Sequence, residues 1–246
     1  LGLSALDWAG HRFGPRSHEV QDVLIQLDRM LGRLFADLDT IVGSERYLVA
    51  LTADHGVMPI PEHRSRLADA GRLSAQQIVN AAETAVRAEL GPGQYVARFE
   101  EQDFYFEPGI YARLLAQPDA LKRVTDAIQA VEGVAKVYRG DTIPGRRDTG
   151  DMVERALARN YYLGRSGDLL VVPRPYWTTS TNAAGHGTSY GYDNRVPILM
   201  MGKWIVAGHY LAKVTPADIA PTLAEIAGIT LARTDGRILI EALGGL

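Results

Sequence analysis

The stretch Tyr47-Leu48-Val49-Ala50-Leu51-Thr52-Ala53-Asp54-His55-Gly56 decides the fold class. Its first half is a continuous apolar run, the pattern of a strand buried on both faces of a parallel sheet. Its second half is an Asp-His pair followed by Gly. Adjacent residues of a strand point to opposite faces, so both can serve one site only past the strand's end. Immediately upstream, Val20, Val23, Leu24, Leu27, Leu31, Leu34 and Leu38 recur at helical spacing, with Ser17 as the cap and Gly43 as the stop. A helix feeding a buried strand, with polar ligands where the strand stops, is the α/β pattern whose sites lie at the carboxyl edge of the sheet.

Working outward, Leu1 to Leu6 reads as an opening strand with no Met, charged leader or cleavage site. Such a start resembles the middle of a domain, so the chain is expected to be a C-terminal fragment. Ser74 with Gln77 three residues on predicts a capped helix to about Leu90, broken by Gly91-Pro92-Gly93. Short strands near 94–99 and 103–106, a helix over 117–131 and a strand at 133–138 follow. This block carries none of the candidate ligands. The expected division is therefore a core of residues 1–72 and 166–246, with 73–165 as an α+β insertion. The core is expected to resume with the strand Asp168–Pro173, then the loop with His186, a strand at 196–202 and a helix opened by Thr215-Pro216 and ended by Gly228.

Composition narrows the function. A formal charge of -3 and a pI near 6.1 offer no basic footprint for nucleic acid. No run of about 18 apolar residues is present to span a membrane. With no cysteine, disulfides and thiolate sites are excluded, and any metal must be held by N and O ligands.

Three segments offer such ligands: Asp7-Trp8-Ala9-Gly10-His11, Asp54-His55-Gly56 and Gly185-His186-Gly187-Thr188. Asp7 and His11 share one face if the segment is helical, or converge through Gly10 if it is a turn. Taken singly, Asp7 could equally cap a turn, Asp54 has the lesser alternative of satisfying backbone amides in a strand-terminal turn, and His186 could be a solvated loop residue. Taken together, two Asp and three His suit one or two divalent ions in hydrolysis. His18, His63 and His209 are expected to have no chemical role, and Tyr161, Tyr162 and Trp177 are read as packing. Spacing does not say whether Arg12, Arg16 or Lys203 approaches a phosphate.

The segment Ser4–Ser17 resembles the D-x-x-G-H-x-x-G-P-x-S segment of type I phosphodiesterases and nucleotide pyrophosphatases, within the alkaline phosphatase superfamily. Thr52–Gly56, Gly185–Thr188 with Tyr192–Ile198, and Thr215–Leu223 resemble its later segments, in family order. The wording leans towards phosphate-irrepressible bacterial alkaline phosphatases. The resemblance implies a partial alkaline-phosphatase-like α/β sandwich, with a mostly parallel central sheet and helices on both faces. It implies two Zn2+, or other divalent metals: one held by Asp7, His11 and His186, the other by Asp54 and His55. The implied reaction is hydrolysis of small-molecule phosphate monoesters through a covalent phospho-Thr or phospho-Ser intermediate, the nucleophile lying upstream of Leu1. Three rivals stay open: a phosphodiesterase or nucleotide pyrophosphatase, a cofactor-independent phosphoglycerate mutase, and an inactive metal-binding fragment. The resemblance further implies a periplasmic or secreted protein. It leaves the oligomeric state open.

Overall fold

A computed structural model describes residues 1–44, 46–65 and 69–244. The helices are α1 (Ala5–Phe13), α2 (His18–Ile41), α3 (Pro61–Arg64), α4 (Ala75–Leu90), α5 (Ile110–Leu115), α6 (Pro118–Gln129), α7 (Met152–Asn160), α8 (Gly191–Asn194) and α9 (Ile219–Ala227). The strands are β1 (Leu48–Thr52), β2 (Gly71–Arg72), β3 (Val96–Glu100), β4 (Asp103–Phe106), β5 (Val134–Arg139), β6 (Leu169–Pro173), β7 (Trp177–Thr178) and β8 (Ile198–Gly202). The fold is α/β. Two compact units divide the chain: residues 1–20 with 57–194, and residues 21–56 with 195–246. The block 73–165 lies wholly within the first unit.

The first unit is built on a four-stranded sheet in the order β3-β4-β6-β5, every pairing antiparallel. Its inner strand β6 is buried along its whole length. Leu169 and Val171 point into one core, with Ile78, Ala82 and Val86 of α4 and Leu121, Val124 and Ile128 of α6. Leu170 and Val172 point into a second core, with Leu157 and Ala158 of α7 and Ile143. Burying each such Leu, Ile or Val contributes roughly 1.5–3 kcal/mol, which is why both faces of this strand are apolar.

The sequence expectation for β6 is thereby corrected. Its apolar run does mean burial on both faces, but the strand belongs with β3, β4 and β5, and its neighbours run antiparallel. Two helical layers on an antiparallel sheet produce the same unbroken apolar run as a parallel sheet. Direction leaves no mark in such a pattern. Among the described residues the only parallel pairing is the short one of β2 with β7, so the mostly parallel sheet is not seen.

The opening strand is also corrected. Ser4 starts a turn and α1 follows, with Asp7 in its first turn and His11 and Arg12 in its last. Those charges complement the helix dipole at both ends, a local preference that the mostly apolar opening conceals. Gly14 stops α1 at φ 88°, where any Cβ would stand 2.5 Å from the Ile60 side chain.

In the second unit, α2 runs as its spacing predicts and Gly43 follows it at φ 98°. Ser17 caps it, its hydroxyl oxygen accepting the Val20 N–H at 3.2 Å. β1 pairs antiparallel with β8, in register from Leu48 opposite Gly202 to Thr52 opposite Ile198. Every β1 residue is half-buried rather than buried. A turn at Pro216–Asp218 leads into α9, and Gly228 ends that helix in the left-handed conformation at φ 65°. Among the described residues no helix is long and apolar enough to cross a membrane.

Candidate metal centre

Helix α1 resolves the ambiguity at Asp7 and His11. Four residues apart on a helix, they share a face, and the His11 Nε2 lies 3.4 Å from the Asp7 Oδ1. The loop after β7 brings His186 to the same place. Its Nε2 lies 3.1 Å from the His11 Nε2 and 3.5 Å from the Asp7 Oδ1. Two segments some 175 residues apart in sequence thus meet within the first unit.

The His11 Nδ1 sits 3.0 Å from the Ala184 carbonyl oxygen. A carbonyl only accepts, so Nδ1 carries a proton, and Nε2, which faces Asp7 and His186, is the ring atom available to a metal. The Ala184 N–H in turn donates to the His11 carbonyl at 3.3 Å, tying α1 to the loop twice.

The loop itself is held by partners that the sequence reading did not find. Arg72 Nη1 donates to the carbonyls of Ser180 and Asn182, each at 2.7 Å, and Nη2 to that of Ala183 at 3.2 Å. The same guanidinium pairs with Glu62 at 2.6 Å and holds that carboxyl below its ordinary range. Downstream, the Asp193 Oδ2 accepts the Thr188 N–H at 2.8 Å and the Thr188 hydroxyl at 2.6 Å, all buried. Burial pushes the Tyr190 phenol up to about 12, so it stays protonated and donates to the Pro173 carbonyl at 2.8 Å. Gly187 takes φ 104°, a turn that lets His186 leave the loop sideways. Arginine bound to loop carbonyls has no sequence signature, whereas Asp193 lies in the Tyr192–Ile198 segment that the resemblance had marked, without its role as a clamp.

Do these groups fit a metal? Their ligand atoms all lie within 4.8 Å of one another. A tetrahedral ion with bonds of about 2.0–2.1 Å has ligand-to-ligand edges of about 3.3 Å. The observed separations of 3.1, 3.4 and 3.5 Å bracket that edge. Two imidazoles and a carboxylate are also the N and O donors that zinc takes. The donor set fits.

Asp54 and His55 stand in the second unit, just past the end of β1. The His55 Nε2 lies 3.8 Å from the Asp54 Oδ2. Its Nδ1 is 2.8 Å from the Gly56 carbonyl oxygen, so here too Nδ1–H donates to a carbonyl and leaves Nε2 as the atom available to a metal. The strand end does allow two neighbouring side chains to face each other.

Of the other candidates, His18, His63 and His209 are exposed. Trp177 is buried in the first core and donates through Nε1 to Asp69 at 3.0 Å, which is the packing role expected of it. Tyr161 packs against the second core, whereas Tyr162 is exposed. Arg12 lies over the Phe13 ring and Lys203 over the Trp204 ring.

A family model for type I phosphodiesterase / nucleotide pyrophosphatase matches residues 1–194. The chain belongs to that family. Among its relatives, alkaline phosphatase PafA of Elizabethkingia meningoseptica is 27% identical over 99% of this chain and 45% of its own length. Alkaline phosphatase PhoK of a Sphingomonas species is 32% identical over 97% of this chain and 45% of its own length. The crystal structure of wild-type PafA superposes with a TM-score of 0.87 at 26% identity, covering 98% of this chain and 47% of that one. Human ectonucleotide pyrophosphatase / phosphodiesterase 5 shares the fold, with a TM-score of 0.68 at 16% identity over 97% of this chain and 56% of its own. The chain thus spans about half the length of these relatives.

Proposed function

We propose that this chain forms part of a metal-dependent hydrolase of phosphate monoesters. Asp7, His11 and His186 would hold one divalent ion, zinc by preference, and Asp54 and His55 would contribute to a second. The observation that carries the reading is the set of three ligand separations, 3.1, 3.4 and 3.5 Å, close to tetrahedral edges. Ions bound there would supply charge neutralisation at the phosphoryl group and a water of lowered pKa.

The chain's own residues do the positioning. The Ala184 and Gly56 carbonyls hold the His11 and His55 protons on Nδ1, so that Nε2 is the atom available to a metal in each ring. Arg72 and Asp193 fix the loop on either side of His186. In the reaction proposed, a Thr or Ser hydroxyl oxygen bonds to phosphorus while the ester oxygen leaves and takes up a proton. Water then cleaves the phospho-enzyme to free phosphate and restores the hydroxyl. That hydroxyl belongs to none of the five ligand residues. The names of the relatives, alkaline phosphatases, support the monoester reading. The family's description supports a diester reading as the second choice.

The test is hydrolysis by the full protein with zinc, comparing an aryl monophosphate with a bis-aryl phosphate. Faster release of phosphate from the monoester is expected. The reverse order would install the diesterase, and no release from either would end the hydrolase reading.

A further inference from the structure

Beside the metal triad lies a cavity of about 310 Å³, lined by His11 and His186 and, from the β3–β4 turn, by the exposed Glu101 and by Gln102. Thr179 and Ser180 contribute hydroxyls to its wall, and Trp177 and Leu73 an apolar surface. Its volume falls at the low end for small-molecule pockets, room for a compact alcohol group rather than a polymer. The β3–β4 turn is tied to the loop of His186 and to β6: Gln102 Nε2 donates to the Gly187 carbonyl, and the Gln102 carbonyl accepts the Val171 N–H at 2.8 Å.

Glu101 is the odd residue. It sits at φ 54°, a left-handed conformation that favours glycine or asparagine in tight hairpins. Backbone strain of this kind collects at ligand sites. Its carboxylate overhangs the metal loop, with Oε2 3.8 Å from where a Cβ on Gly187 would stand. Among the described residues no cation pairs with it. A carboxylate at the mouth of a site for a phosphate dianion repels the anion and attracts a cation. The charge at Glu101 therefore selects for the half of the ester that leaves.

We propose that Glu101 determines specificity, and that the cavity takes the alcohol half of phosphate monoesters of short amino alcohols, the ammonium group meeting the Glu101 carboxylate. The phosphoryl group then faces His11 and His186 while the apolar floor takes the alkyl carbons. This inference rests on the hydrolase reading for where the phosphoryl group sits, but its test does not require turnover.

The test is calorimetric binding of two non-hydrolysable probes, 2-aminoethylphosphonate and propylphosphonate, to the full protein with zinc. The aminophosphonate is expected to bind about 5-fold tighter at low salt, the scale of a partly exposed ion pair, with the gap shrinking as salt is added. In Glu101→Gln the ratio should fall to about 1. A wild-type ratio near 1, or a ratio that Glu101→Gln leaves unchanged, overturns the proposal. The wild-type preference together with its loss in Glu101→Gln upholds it, even if no ester is hydrolysed; in that case the hydrolase reading alone fails.

Discussion

His186 shows how little of a metal site a single residue carries by itself. Its loop position is ordinary, and its chemistry comes from two neighbours supplied by α1, one of them with its tautomer set by the Ala184 carbonyl. Partners of that outer kind typically account for 10–100-fold in metal affinity, and a direct ligand for at least as much. His186→Ala is therefore expected to weaken zinc binding at the triad by about 100-fold or more, read by competition with a chelating dye. An unchanged affinity would remove His186 from the site. Glycine at 14 and 187 matters for a backbone reason: both turn the chain through positive φ, Gly14 at the end of α1 and Gly187 directly after His186.

At the scale of elements, the triad depends on how a helix end and a loop are pinned. Arg72 reaches the loop because β2 pairs with β7, setting Arg72 opposite Thr178. Its guanidinium spans three carbonyls that no other described side chain satisfies together. Arg72→Ala should lower zinc affinity about 10-fold while leaving the far-UV circular dichroism intact. Full affinity in that variant would show the loop to be rigid without its clamp.

A second element-scale prediction concerns acid stability. The Arg139 guanidinium, with help from the Tyr111 hydroxyl, holds the Asp141 carboxyl below the usual aspartate range. A depressed folded pKa stabilises the fold above the ordinary value of about 3.9 and loses that contribution as pH falls through the lower folded value. Asp141→Asn should thus cost up to about 1 kcal/mol at pH 6, a figure kept small by partial exposure, and less at pH 2. Urea melts at both values check it; an equal loss at both would assign the effect to packing.

At the scale of the whole molecule, the second unit leaves apolar surface open. Leu199 and Met201, two residues apart on one face of β8, are 57% and 42% exposed. Among the described residues β1 and β8 pair only with each other, so each keeps an open edge. Open edges beside apolar side chains invite association. The 246-residue chain alone is expected to associate with rising concentration in sedimentation velocity, and Leu199→Lys to reduce it. A monodisperse monomer of the unsubstituted chain would refute this.

Several elements were legible from residues alone because their causes are local. The seven aliphatic positions of α2 mark one face of a helix, Ser17 and Ser74 cap through their own hydroxyls, and Gly228 stops α9 by its left-handed turn. The candidate ligand segments stood out for another reason, since Asp, His and Gly recur together in three short stretches and jointly suit a divalent metal. The opening helix was hidden because so short a mostly apolar run carries no period. Strand direction was hidden because burial on two faces reads alike in either sense.

What the sequence by itself determined was therefore the inventory: the α/β class, most of its elements, the five candidate N and O ligands and the family they mark. What only the tertiary structure decided was adjacency. It set Ala184 against His11, Arg72 beneath the metal loop, β6 between β4 and β5, and Glu101 over Gly187. Caps and periodicity act across a few residues and leave their trace in neighbouring letters. A contact between residues 11 and 186 is settled by how whole layers pack, and no single stretch of chain encodes it.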